Sequence, residues 1–333
     1  MNPYKMVITV ANQKGGCAKT TTAVNIATAL AKGNKELGFP AAKVLLVDLD
    51  PQGNVSTSFG IPKSALNYTV YDLLMNDLGE ELPLIDEYLI GPEIIRDYMR
   101  EAWRQTNNDK RPPETVVKID KKTDKIVSSG VDNLWILPSS VQLAAAEIEL
   151  ATRIGRETRL KEGLAAAFDE FDYIIIDTSP SLGLLTINAM AASNWILIPL
   201  QTEYYALEGL SQLMNSIKLV QRRINPNLKL FGIALTMFEK TKLGNMVSNS
   251  ARDHFPNHVF KSVIPRATSV AAAPSVGAPI TLLKKPTKAK ANKGSQAYWA
   301  LGKEVHQRVL KIRHKYGINE PNRLRQHRLR TSE

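Results

Sequence analysis

Residues 6–31 read MVITVANQKGGCAKTTTAVNIATALA, and the fold turns on this stretch. Met6–Ala11 is a short apolar, β-branched run, the composition of a strand buried on both faces. A Gly-containing turn, Asn12–Ala18, follows, and Thr20–Ala31 has the composition and length of a helix. A strand, a loop of small residues and a helix start bring backbone N–H groups and the positive end of a helix dipole to one place, where a triphosphate binds. The candidate nucleotide-binding residues are Lys14, Gly15, Gly16, Cys17, Ala18, Lys19, Thr20 and Thr21. Lys19 would reach the β- and γ-phosphates, and the Thr20 hydroxyl would ligate Mg2+. The ordinary spacing G-x-x-x-x-G-K-[ST] is not met, because Gln13 and Ala18 stand where its glycines fall. The loop reads K-G-G-x-x-K-[ST] instead, with a second lysine, Lys14, at its front. Ala18 is expected to keep φ below zero, as the first turn of a helix allows.

Outward from this unit the chain alternates apolar strands with helical patterns. Strands are expected at Val44–Asp48, Leu134–Leu137, Tyr173–Asp177, Trp195–Pro199, Leu228–Met237 and His258–Ile264. Helices are expected at Ser140–Ile154, Glu157–Phe168, Leu184–Ala192, Glu208–Arg223 and Leu243–His254. The alternation predicts an α/β fold with a mostly parallel, doubly wound sheet. Residues 1–315 read as one domain built around this phosphate loop, interrupted at about 89–130 by a charged helical stretch and a polar segment suited to a loop or hairpin at a sheet edge. Residues 316–333 are basic and poor in apolar side chains, so a disordered tail is expected there.

Two strands end in carboxylates. Asp48 closes VLLVD and is followed by Leu49-Asp50, and Asp177 closes YIIID. The C-terminal edge of such strands borders the nucleotide crevice of a parallel sheet, so Asp48, Asp50 and Asp177, with Thr20, are the candidate Mg2+ ligands, the alternative being that an aspartate after a strand only caps the next helix.

The segment NQKGGCAKTTTAVNIA resembles the deviant Walker A motif of the ParA/MinD family. The likeness to the ParA (Soj-like) branch continues through DLDPQGN, DTSPSLGLLTINAMAAS, PLQTEYYALEGLSQLMNSIKLVQRRIN and IPRATSVAAAPSVGAPI. It spans about residues 5–75, 132–283 and, more loosely, 295–310; residues 89–130 have no counterpart. Thr178-Ser179 and Ala272 depart from the family's usual residues. The resemblance implies an ATPase that uses ATP and Mg2+ and forms a homodimer around the nucleotide. Lys14 would cross to the partner's phosphates and Asp50 would position the attacking water, making Lys14, Lys19 and Asp50 the catalytic set. Asp48 would help organise the metal and the loop, and Asp177 would hold the metal through a water. Thr236, Met237, Ile264, Pro265 and Arg266 would flank the nucleotide's ring. It further implies partition of a plasmid or chromosome with a ParB-type adaptor, or positioning of a protein cargo over the nucleoid.

Charge divides the chain in two. Residues 1–215 carry 20 Lys/Arg and 27 Asp/Glu, whereas residues 216–333 carry 23 and 5. A basic half of this kind suits a polyanion. Lys218, Arg222, Arg223, Lys240, Lys242, Arg252, Lys261, Lys284 and Lys285 are the candidate DNA contacts, expected to act without reading bases. A MinD-like membrane ATPase would need an amphipathic C-terminal helix, and PNRLRQHRLRTSE offers only Leu324 and Leu329. An iron–sulfur enzyme would need more cysteines than Cys17. One cysteine, no apolar stretch of about 20 residues and no signal-like N-terminus predict a cytoplasmic protein, and the resemblance implies that it is nucleoid-associated. With the loop so near the first residue, no helix–turn–helix domain is expected ahead of it.

Overall fold

The computed structural model describes residues 6–76, 85–119, 126–283 and 292–317. Lys284, Lys285 and the tail from 318 onward lie outside them. Nine strands occur among the described residues: β1 (Val7–Val10), β2 (Val44–Leu49), β3 (Val117–Ile119), β4 (Ile126–Ser129), β5 (Leu134–Leu137), β6 (Tyr173–Thr178), β7 (Trp195–Gln201), β8 (Lys229–Phe238) and β9 (Val259–Pro265). Seven of them form one sheet in the order β5-β2-β6-β1-β7-β8-β9. Every pairing within it is parallel. The chain winds outward from β1 to β2 and β5 on one side and later through β7, β8 and β9 on the other, so the loop after β1 opens into the crevice where the winding reverses.

The helices that matter for the site are α1 (Lys19–Lys32), α2 (Asn54–Ser58), α3 (Pro92–Thr106), α4 (Leu143–Leu150), α5 (Leu184–Ala192), α6 (Ala206–Arg223), α7 (Lys242–His254) and α8 (Lys293–Lys315). One face of the sheet is covered by α1 and α8, where Val24, Leu30, Tyr298, Leu301 and Val305 are buried. The other is covered in part by α6 and α7, through Leu210, Leu213, Ile217, Val247 and Ala251. β1, β2, β6 and β7 are buried at every position, as strands covered on both faces must be.

Three expectations change. The helix expected at Ser140–Ile154 shortens to α4, and Gly155 follows with φ 70°. The helix expected at Glu157–Phe168 breaks into Arg159–Gly163 and Ala167–Glu170. Gly163 lies so close to Leu73 that a Cβ there would come within 2.7 Å of its Cγ. The 23-residue α8 was not anticipated, although Tyr298, Leu301, Val305 and Val309 carry a helical period that would have marked it.

The interrupting segment forms α3 and an antiparallel β3–β4 hairpin separate from the main sheet. Before it, Ile90 pairs with Ile136 at the margin of β5, its N–H donating to the Ile136 carbonyl at 2.8 Å. At the opposite margin the Glu304 carboxylate of α8 accepts the N–H groups of Lys261 and Ser262 on β9, at 2.8 and 2.6 Å.

Candidate nucleotide site

The loop after β1 is held open by its own backbone. Asn12 donates to the Pro199 carbonyl at 2.6 Å and accepts the Lys14 N–H at 3.0 Å, which fixes where the loop leaves the sheet. Gly16 has φ 73°, and no atom lies within 4 Å of where a Cβ would stand on Gly15 or Gly16. The space above these two residues is therefore clear for a phosphate. Lys19 is buried, and its ammonium donates to the Lys14 carbonyl at 3.1 Å, curling across the loop. Thr236 ties the loop from beneath, donating to the Cys17 carbonyl at 3.0 Å. Cys17 is buried, and burial pushes its thiol up from the usual range.

Ala18 corrects the expectation of negative φ. It stands at φ 68°, ψ 37°, the left-handed region, as the residue capping α1. An L side chain there costs about 1–2 kcal/mol, and glycine's extra freedom in the unfolded chain offsets part of any relief. Ala18→Gly is therefore expected to raise unfolding stability by about 1 kcal/mol with the cleft intact. Chemical denaturation checks this, and a loss of stability would contradict the strain.

Beyond the loop lies a cleft of about 750 Å³. Gly15, Gly16, Ala18, Lys19, Thr20 and Thr21 form its floor, and Asp50 faces it from the tip of β2. Sequence reasoning did not single out the rest of its wall: Asn54, Thr57 and Ser58 of α2, Ala144 and Glu147 of α4, Ser179–Ser181 and Pro274. The run DTSPS, following an Asp-tipped strand, was the available signal for Ser179–Ser181.

The three aspartates differ in what they can do. Asp48 is fully buried, and its two oxygens accept the N–H groups of Asp50 and Val55, each at 3.1 Å. It thus shapes the turn that presents Asp50 and starts α2. Burial, and secondarily the Asp50 charge, push its carboxyl up to about 7 against those two N–H groups. Asp50 keeps one oxygen on the Gln52 N–H at 2.9 Å and turns toward the cleft. Asp177 is fully buried, and neither of its oxygens has a hydrogen bond of ordinary geometry, although the Thr20 hydroxyl is near enough to favour its charged form. Burial first, then Asp48, raise its carboxyl well above the usual range. A buried carboxylate with two free oxygens beside a phosphate loop suits a metal ion or its water. Among the described residues, no group of three or more His, Cys, Asp or Glu could hold an ion alone. An ion here would thus take most of its ligands from phosphate and water, as Mg2+ does.

Lys14 stands apart from its own cleft: its side chain is 43% exposed and pairs with Glu203, which also takes the Gln201 amide. Of the ring-flanking residues, only Met237 lines the cleft, at φ 47°. Thr236 and Ile264 are buried and turn inward. Pro265 and Arg266 lie beside Phe238 and Glu239, with Arg266 at 3.3 Å from Glu239.

The basic candidates divide into two groups. Lys218, Arg222 and Arg223 are exposed at the end of α6, before β8 begins. Lys240 and Lys242 are exposed past its end, at the edge bearing the cleft. The 18-residue α6 separates these ends by about 27 Å. Arg252 lies near the far end of α7, and Lys261 on β9 is exposed.

A loop of this form, leaving the middle strand of a parallel sheet, makes this a P-loop nucleoside triphosphatase. Comparison with known proteins narrows the class. The AAA_31 family, an AAA domain, matches residues 5–230. The chain is 41% identical to the sporulation initiation inhibitor protein Soj of Bacillus subtilis, over 90% of this chain and 97% of that protein. It is 38% identical to the chromosome partitioning protein ParA of Myxococcus xanthus, over 91% and 88%. A solved structure of cobyrinic acid a,c-diamide synthase from Mycobacterium smegmatis, with bound ATP analogue and magnesium, superposes with a TM-score of 0.62 at 30% identity, covering 95% of this chain and 98% of that one. The chain belongs to the Soj/ParA family of partitioning proteins, and it is an ATPase.

Proposed function

We propose that this chain pairs with a second copy around ATP and Mg2+, binds DNA of any sequence in that state, and drives plasmid or chromosome partition with a ParB-type adaptor. The observation that carries this reading is the position of Lys14: a lysine at the front of the phosphate loop that lies outside its own cleft, on an exposed pair with Glu203, is placed to exchange that partner for another copy's phosphates. Exposed apolar side chains near the cleft, Val141, Ile148, Ile154, Tyr204 and Tyr205, support a face that is covered in a pair. No helix among the described residues is long and apolar enough to cross a membrane.

In this reading Lys19 binds the phosphates and the Thr20 hydroxyl and Asp177 take the ion. The Gly15–Gly16 backbone cradles the β-phosphate. Bound Mg2+ supplies charge neutralisation across the β- and γ-phosphates. Asp50, held by the Gln52 N–H, orients the attacking water, and the partner's Lys14 adds charge where it develops in the transition state.

DNA would lie along α6 and α7, touching both basic groups. With about five phosphate contacts, affinity should fall roughly 500-fold between 50 and 200 mM salt. The test measures binding to random-sequence duplex with ATP, ADP or no nucleotide, for the wild type and Lys14→Ala. ATP-selective binding, lost in the variant while ATP affinity stays, is the expected result. Equal binding in all three states overturns the switch.

A further inference from the structure

The helix α3 belongs to the segment without a counterpart in the family pattern, yet it packs directly behind the wall of the nucleotide cleft. Ile95 and Met99 are fully buried in the core beneath it. One turn on, Ala102 rests on two glycine backbones. A Cβ on Gly60 would come within 2.5 Å of the Ala102 Cβ, and one on Gly277 within 2.6 Å. The two glycines also meet each other, since a Cβ on Gly277 would lie 3.0 Å from the Gly60 Cα. Both sit in the left-handed region, at φ 70° and 62°. At the end of α3, the Thr106 hydroxyl lies 2.8 Å from the Ala102 carbonyl of its own helix and 3.3 Å from the Ser275 carbonyl, sharing its proton between them.

These contacts adjoin the cleft itself. Pro274 lines it, next to Ser275, and so do Thr57 and Ser58, which stand just before Gly60. A groove of about 340 Å³ on the outer side, lined by Gln105, Thr106, Lys63 and Ser275, shares Thr57 and Pro274 with the cleft. Where backbone rests on backbone through one methyl group, no flexible side chain can absorb a displacement, and close-packed contacts pass it on.

We infer that α3 braces the nucleotide cleft: Ala102 and Thr106 are positioning residues that hold the Pro274 and Thr57 walls, so occupancy of the cleft is felt in the inserted segment. This rests on the nucleotide reading above. Its consequence is that a partner touching the insertion would act on nucleotide retention without entering the cleft.

Hydrogen exchange on the full chain, with and without a non-hydrolysable ATP analogue and Mg2+, tests it. Amides of residues 92–106 are expected to slow by roughly threefold or more on binding, together with those of residues 15–21. Ala102→Leu, which forces three carbons between the glycines, should speed release of a fluorescent ATP analogue about tenfold, with an unchanged far-ultraviolet spectrum. Thr106→Val, which keeps the packing, should speed it roughly two- to threefold, and it carries the test if Ala102→Leu does not fold. Protection of 15–21 with 92–106 unchanged overturns the brace and leaves the nucleotide reading standing. Protection of neither overturns both.

Discussion

Lys19→Ala is expected to abolish ATP binding at micromolar concentrations while leaving the fold intact. Its ammonium is already inside the loop, buried, with a single acceptor in the Lys14 carbonyl. Removing it costs the fold that hydrogen bond and part of the charge that offsets Asp177, whose raised carboxyl can take up a proton instead, so the thermal midpoint should stay within a few degrees. Binding suffers far more. Two charge-assisted bonds to phosphate oxygens, at about 1.5–3 kcal/mol each, amount to roughly a 10²–10⁴-fold loss of affinity. Titration with a fluorescent ATP analogue measures this directly. Affinity within a few-fold of wild type would mean that the loop between β1 and α1 is not where the triphosphate sits.

Asp177→Asn should cut turnover by two orders of magnitude or more and, in the same protein, make the nucleotide-free chain more stable. Both effects have one origin. The two oxygens are what a metal ion or its water would take, and without one they are a buried charge that the nearby Thr20 hydroxyl and Lys19 ammonium offset in part. Asparagine removes the charge, and stability should rise by about 1–3 kcal/mol. The sign of the pH dependence follows. The carboxyls of Asp177 and Asp48 are raised in the folded state, that of Asp48 to about 7, so as pH rises from about 4 the native protein holds protons that the unfolded chain has released. Their contribution to stability is complete at low pH and is lost as pH rises through that range. The wild type should therefore show a downward trend in midpoint from this pair, and Asp177→Asn a shallower one. Thermal unfolding of both proteins across that range, alongside phosphate release, checks the account. A destabilised variant would show that the carboxylate has a partner in the native state.

What the sequence made legible was the chemistry that depends on residue type in a short span. Small residues and lysines between a β-branched run and a helical one fixed the loop, and an aspartate at the end of each of two apolar strands fixed the carboxylates. What stayed hidden depends on where a side chain ends up. Nothing in DLDPQGN distinguishes Asp48, whose oxygens are committed to the Asp50 and Val55 N–H groups, from Asp50, which turns to the cleft. The left-handed φ of Ala18 was invisible because alanine carries no mark of it. The basic residues formed one excess along the chain but lie at opposite ends of α6. The packing of Ala102 on Gly60 and Gly277 joins positions more than 40 residues apart on one side and 170 on the other, and no local pattern announces it.

Each margin of the large sheet carries a contact from the chain itself: Ile90 lies against Ile136 on one, and Glu304 caps two amides of β9 on the other. An exposed strand edge is a template for pairing with another chain, and a carboxylate set against its amides or a loop laid along it takes up backbone that such pairing would use. Loss of Glu304 would therefore be felt first as a change in self-association, before any change in the core.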